Sequence, residues 1–185
     1  MNAEAALRCW VERLVIGEGL CPFAAAPWQA GRVRIAVCEA RDDDAIYRAF
    51  LSEVERLLAA DPDTLETTLL AVPQALADFD DYLSMLELLE GTLAELGLEG
   101  VLQLASFHPD YRFAGEPPED PSHWTNRAPM PVFHLLREVS VSRALANWPG
   151  SPGQIPRRNR ERMRELGLER LRALRARCRD LSDES

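Results

Sequence analysis

The sequence predicts an α/β fold: a small three- or four-stranded parallel or mixed sheet built from a β-α-β-α-β order. Helices flank it, with one helix before it and a helical segment after it. Three observations carry this. VRIAVCEA, TTLLAV and VLQLASF are apolar runs of strand length, rich in β-branched residues. Between them lie two stretches with apolar residues at helical spacing, each long enough to cross from one strand to the next. A chain of 185 residues with 46% hydrophobic side chains can bury a real core.

The elements follow in order. Residues 4–16 place Ala6, Leu7, Trp10, Leu14 and Val15 on one helical face, and Gly17 and Gly19 stop that helix. GLCPFAAAPW is a turn-rich segment, and residues 33–40 are the first strand. Asp42–Asp44 supply N-caps for a helix over 43–60, whose apolar stripe is Ile46, Phe50, Val54, Leu57 and Leu58. DPDT turns the chain, residues 67–72 form the second strand, and Pro73 ends it. An amphipathic helix over 78–96 closes at Gly97, and residues 101–107 are the third strand. After a long loop, Pro131–Glu138 reads as a short helix with Pro131 in its first turn. Ser140 or Ser142 caps a further helix through Trp148, and WPGSPG breaks the chain. An arginine-rich helix over 156–179 packs through Met163, Leu166, Leu171, Leu174 and Cys178, with Gly167 able to split it. LSDES reads as a frayed end. The organisation expected is one domain over residues 1–166 with an arginine-rich helical extension over 167–185.

Charge and cysteine usage narrow the function. The net charge is −9, yet residues 154–179 carry ten arginines against three glutamates, which leaves about −16 on the rest. An acidic body argues against nucleic acid as a partner. The arginine-rich face reads as a helix surface paired with body carboxylates. No run of 18 apolar residues is present, so no membrane partner is expected. MNAEAALRCWVERL carries acids and no basic-then-apolar pattern, which predicts a cytoplasmic protein. Cys9, Cys21, Cys38 and Cys178 show no CxxC spacing and are expected to be reduced.

The chemistry concentrates between Phe107 and Glu138. All three histidines and six of the thirteen prolines lie there. A loop of about twenty residues in a compact domain is usually functional or disordered, and the aromatic content favours function. His108 follows the third strand directly, where ligands collect in open α/β sheets if the strands are parallel. It is the candidate acid–base residue, with Asp110 and Tyr111 beside it. On a helix, His134 and Glu138 share a face, as a carboxylate-oriented pair or as two metal ligands that would need His108 as a third. Asn126, Arg127, Arg137 and Tyr111 are candidate holders of a carboxylate or phosphate, for which the guanidinium fork is suited. His123 and Trp124 read as more exposed connecting structure. Cys21, in a tight turn, is either a nucleophile or a small buried residue.

Longer words also resemble a known family. GLCPFA, ETTLLAVP, GLEGVLQLASFHPDYRFAG and TNRAPMPVFHLLRE are similar to a bacterial family catalogued as domain of unknown function 1415. The resemblance runs from the N-terminal helix to about residue 166. It marks Cys21, Pro22, Phe23, His108, Pro109, Asp110, Tyr111, Phe113, Asn126, Arg127, Pro129, His134, Arg137 and Glu138 as signature positions. It does not extend to the arginine-rich stretch beyond about residue 167, where no function is expected.

Two functions fit these residues. One is a small enzyme acting on an anionic small molecule through His108, His134, Glu138 and Cys21, with no cofactor specified. The other is a non-catalytic module in which the arginines bind an anion or acidic peptide and the histidines brace the loop. A pocket holding His108 and His134 within reach of Cys21 favours the first. Histidines fully hydrogen-bonded to loop backbone favour the second.

Overall fold

A computed structural model describes residues 2–180; Leu181–Ser185, read above as a frayed end, lie outside the described residues. The chain forms a mixed four-stranded sheet between two helical layers. Strands β1 (Val33–Val37), β2 (Thr67–Ala71), β3 (Leu102–Phe107) and β4 (Val132–Arg137) lie in the order β1-β2-β4-β3. β1 and β2 are parallel neighbours, and β4 runs antiparallel to both β2 and β3. The first three strands therefore point the same way, and their carboxyl ends share one edge of the sheet.

The crossover helices match the sequence reading. α3 (Asp43–Ala59) starts where the Asp42 side chain accepts the Ala45 N–H. α4 (Phe79–Glu95) starts where Asp78 accepts the N–H groups of Asp80 and Asp81. Gly97 ends α4 with φ +68°, a conformation that costs a side-chain-bearing residue more. Both helices bury Ile46, Phe50, Leu57, Tyr82 and Leu89 against Leu70, Phe133 and Leu135 on one sheet face.

The opposite face carries Leu69, Ala71 and Val132 under α1 (Ala3–Trp10) and α6 (Gln154–Asp180). α1 does not run on to residue 16 as an α-helix; Val11–Ile16 widen into a π-helical segment. Gly17 closes that segment so tightly that a Cβ there would lie 2.5 Å from the Arg13 carbonyl oxygen. A short helix, α2 (Ala25–Gln29), interrupts the turn-rich segment.

One element was misread. Pro131–Glu138 is not a helix: Val132–Arg137 form β4, inserted between β2 and β3. Eight residues with several apolar neighbours fit a short helix or a strand equally by spacing alone. Pairing on both sides decides it, since β4 satisfies backbone groups of two strands that would otherwise stand apart. The following helix, α5 (Glu138–Ala146), begins at Glu138 rather than at Ser140 or Ser142. No helix among the described residues is long and apolar enough to cross a membrane.

Candidate functional site

The misread strand separates residues expected to act together. Side chains alternate along β4, so Phe133, Leu135 and Arg137 face α3 and α4 while His134 faces the other layer. The His134–Glu138 pair on a shared helical face does not form, because His134 lies in a strand and Glu138 opens α5. Arg137 is buried, and its Nη2 donates to the carbonyl oxygens of Leu57, Ala60 (2.8 Å) and Leu65 (3.2 Å). It closes the C-terminal end of α3, while its buried Nε has no hydrogen-bond partner among the described residues.

The histidines are held by protein partners. His108 is fully buried; its Nε2–H donates to the Leu76 carbonyl at 2.9 Å and its Nδ1 accepts the Asp110 N–H at 3.0 Å. Both ring nitrogens are occupied, and Phe79 and Tyr82 pack against the ring. Burial lowers the His108 pKa from its ordinary value, partly offset by the Leu76 carbonyl. Leu76 has φ +57°, the only positive φ outside glycine among the described residues, so His108 pins a costly turn. His123, expected to be exposed, is instead fully buried, accepting the Phe113 N–H and donating to the Pro117 carbonyl. It folds the proline-rich middle of the loop around itself.

His134 meets Thr67 Oγ1 at 2.7 Å, and that hydroxyl donates its one proton to the Leu135 carbonyl. The Nε2 therefore carries the hydrogen and donates to Thr67. Burial lowers the His134 pKa to about 4. The ring is thus neutral when folded and protonated at mildly acid pH when unfolded. Below the ordinary histidine pKa of about 6.5 the unfolded chain binds the extra proton, so stability falls as pH drops from about 6.5 toward 4. His134→Gln should remove about 2 kcal/mol of that loss. Denaturant melts at pH 7.5 and 4.5 check this; a pH dependence unchanged by the substitution would contradict it.

The other candidates are also separated. Asn126 Nδ2 donates to the Ser106 carbonyl at 3.0 Å, tying the end of the loop to β3. Tyr111 packs on Phe79 and Phe113. Cys21 is a free, half-buried thiol whose pKa is raised by burial, against hydrogen bonds from Phe23 and Ala24 and the charge of Arg158. A raised pKa leaves less thiolate, so the environment does not activate it. No hydrogen bond or ring contact joins Cys21, His108, His134 and Glu138 to one another among the described residues. Neither do the described residues hold a group of three or more His, Cys, Asp or Glu arranged for a metal.

What converges is a different set. A narrow cleft, with about 10 Å³ of space open to a water-sized group, lies between the π-helical segment, the short 3₁₀ helix Pro121–Thr125 and the second half of α6. Trp10, Arg13, Trp124, Arg127, Arg175 and Cys178 line it with three leucines. Trp124, expected to be exposed, is only 2% exposed and forms part of the wall. The Arg175 guanidinium carbon lies 4.6 Å and that of Arg127 5.6 Å from the Trp124 ring centroid. Backbone carbonyls aim both arginines: Arg127 Nε donates to Tyr111 and Arg175 Nη1 to Pro109. The Trp10 indole donates to the Arg127 carbonyl at 3.0 Å, fixing its backbone.

Among the described residues, Arg13, Arg127 and Arg175 make no ion pair with a carboxylate. No carboxylate lines the cleft. Burial, then the neighbouring Arg179 and Arg127 charges, lower the Arg175 pKa; burial also lowers that of Arg127. Other arginines of α6 pair with the body instead. Arg162 reaches Glu18 at 2.7 Å, Arg164 reaches Glu116 and Asp120, and Arg172 reaches Glu119. These contacts hold α6 over the loop.

Of the residues expected to hold an anion, only Arg127 lines this cleft. Sequence reasoning missed Trp10, Arg13, Trp124 and Arg175. Trp10 and Leu14 carried a helical-face signal, but nothing in the spacing said that the arginine-rich helix would return over them.

A further correction concerns sulfur. Cys9 and Cys178, expected to be reduced, form a disulfide across 169 residues with their Cα atoms 5.3 Å apart. It joins α1 to the last turns of α6.

Fold and cleft together define a three-layer α/β domain with an arginine- and tryptophan-lined cleft on one helical layer. The chain belongs to the family described as protein of unknown function, DUF1415, whose pattern matches residues 2–173. No curated protein and no solved structure matches it.

Proposed function

We propose that this chain is a non-catalytic module that binds a small oxyanion, a carboxylate or phosphate, in the cleft beneath α6. A bacterial, cytoplasmic setting belongs to the same proposal and rests on the sequence reading. One observation carries the reading: Arg127 and Arg175 sit together on Trp124, partly desolvated and without a carboxylate partner, and Arg13 joins them in the lining. Burial outweighs the attraction of the nearby Asp110 charge at both guanidiniums, and Arg127 repels Arg175. An oxyanion drawn to the two guanidiniums would offset their burial and their mutual repulsion.

The π-helical segment that presents Arg13 and Leu14 is a rare element, found frequently at functional sites. Both nitrogens of His108, the expected acid–base residue, are used by the backbone, which favours the module over the enzyme.

Isothermal titration with inorganic phosphate and with benzoate tests the proposal. Arg127→Gln and Arg175→Gln should each weaken binding about 10- to 100-fold, the range for a lost charge-assisted hydrogen bond. Arg137→Gln, if folded, should leave affinity unchanged. Equal affinity of wild type and both cleft variants would overturn the reading.

A further inference from the structure

The disulfide stands where it can control the cleft. Cys178 is part of the lining, and Cys9 adjoins Trp10, which also lines the cleft and holds the Arg127 backbone. α6 is two helices joined at Gly167, where φ +74° and ψ +159° break the helical path. The halves are held differently. The first buries Met163 and pairs with Glu18, Glu116 and Asp120. The second carries Arg175 and buries Leu171 and Cys178; its polar ties are the more exposed Arg170–Glu18 and Arg172–Glu119 pairs and the donations of Arg175 and Arg179 to the Pro109 and Pro129 carbonyls. It also brings Arg175 up to Arg127, so like charges push it away from the body. The covalent bond opposes that push. Cys178 lies just beyond residues 2–173, so the bond ties the family domain to a segment its pattern does not cover.

We propose that the Cys9–Cys178 disulfide is a redox latch: the oxidised chain holds the second half of α6 down and the oxyanion cleft assembled, and reduction frees that half-helix at Gly167 and dismantles the cleft. The latch rests on the oxyanion reading above for what it regulates. Disulfides in reducing compartments are usually transient or sensing rather than structural. The reductant is a dithiol. One of its thiolates attacks Cys178 Sγ, the Cys9 sulfur leaves as a thiolate and takes a proton, and a mixed disulfide remains. The second thiolate of the reductant then attacks its own sulfur in that mixed disulfide. Cys178 leaves and is protonated, and the reductant departs as its cyclic disulfide. Two electrons pass from reductant to protein. By linkage, a ligand bound only to the assembled cleft must in turn resist reduction.

The test compares oxidised wild type, wild type reduced with dithiothreitol, and the Cys9→Ser, Cys178→Ser double variant. Each is titrated with inorganic phosphate and with benzoate, and each is digested briefly with trypsin. Alkylation in denaturant with mass analysis first counts free thiols: Cys21 and Cys38 should react in the oxidised chain, and all four after reduction. Binding should weaken at least tenfold on reduction and equally in the double variant. Cleavage after Arg170, Arg172, Arg175 or Arg177 should quicken at least tenfold while the rest of the chain stays intact. If the double variant does not fold, reduced wild type supplies the same comparison.

Equal binding in both redox states, with measurable affinity, would overturn the latch and leave the oxyanion site standing. No binding in either state would remove the oxyanion site and with it the latch as a regulator of that site. Four free thiols in the chain before reduction, or trypsin cleavage indifferent to reduction, would overturn the latch outright.

Discussion

Replacing Cys9 and Cys178 by serine should cost about 4 kcal/mol of stability. The bond closes a loop of 169 residues, nearly the whole described chain. In the chain-entropy account a crosslink removes conformations from the unfolded state, more for longer loops, and loops beyond 100 residues reach about 5 kcal/mol. Engineered and native bonds often deliver less than this ceiling, hence the lower figure. For a domain of this size the change corresponds to roughly 8–16 °C in melting temperature. Denaturant unfolding of the oxidised chain and the double variant, at equal protein concentration, reads it directly. A difference under about 1 kcal/mol would mean that the unfolded chain gains little freedom when the bond is gone. That result would concern global stability only; the local opening of α6 is read separately by proteolysis.

The second large effect belongs to Arg137. Arg137→Met should destabilise the chain by about 3 kcal/mol while leaving oxyanion affinity unchanged. The side chain is buried and its Nη2 serves three backbone carbonyls, two of them at the C-terminal end of α3. These are the carbonyls a helix cannot satisfy internally, and the negative end of the helix dipole favours a cation there. Methionine keeps much of the apolar stem but leaves the carbonyls without a donor, at about 1–3 kcal/mol for an unsatisfied buried group. Arg137→Lys should recover part of the loss, because an ammonium can reach one carbonyl but not span all three. A fully stable methionine variant would contradict the assignment of Arg137 as a helix cap. A stable variant that had lost phosphate binding would return Arg137 to the ligand site.

The three crossover strands, both long helices and their aspartate caps were legible because period, cap and breaker agreed at each one. The shared edge of β1, β2 and β3 was legible too, and it does carry His108. β4 was not legible. Its pattern is ambiguous at eight residues, and the pairing that makes it a strand comes from β2 and β3, about 65 and 30 residues upstream. That one ambiguity governed the candidate site: on a helix His134, Arg137 and Glu138 share a face, and on a strand they part. The cleft was hidden for a related reason. Arg13, the Trp124–Arg127 stretch and Arg175 come from three segments, and only the return of α6 brings the last of them to the others. The ten arginines of residues 154–179 looked uniform along the chain. Their partners differ: Arg164 and Arg172 clamp the loop, Arg162 and Arg170 pair with Glu18, and Arg175 is turned onto Trp124. Histidine content misled as well: buried rings that serve loop backbone carry the same letters as catalytic ones.

The four tryptophans offer the most direct measurement of the central claim. Trp10 and Trp124 line the arginine cleft, while the Trp28 indole donates to Glu12 and Trp148 packs beside Phe23 and Arg158. Indole N–H resonances of the oxidised protein should be followed through titration with phosphate and with benzoate. The signals of Trp10 and Trp124 should move and saturate together while those of Trp28 and Trp148 hold still. Movement confined to Trp28 or Trp148, or no movement at probe concentrations that saturate binding by calorimetry, would contradict an oxyanion site between Arg127 and Arg175.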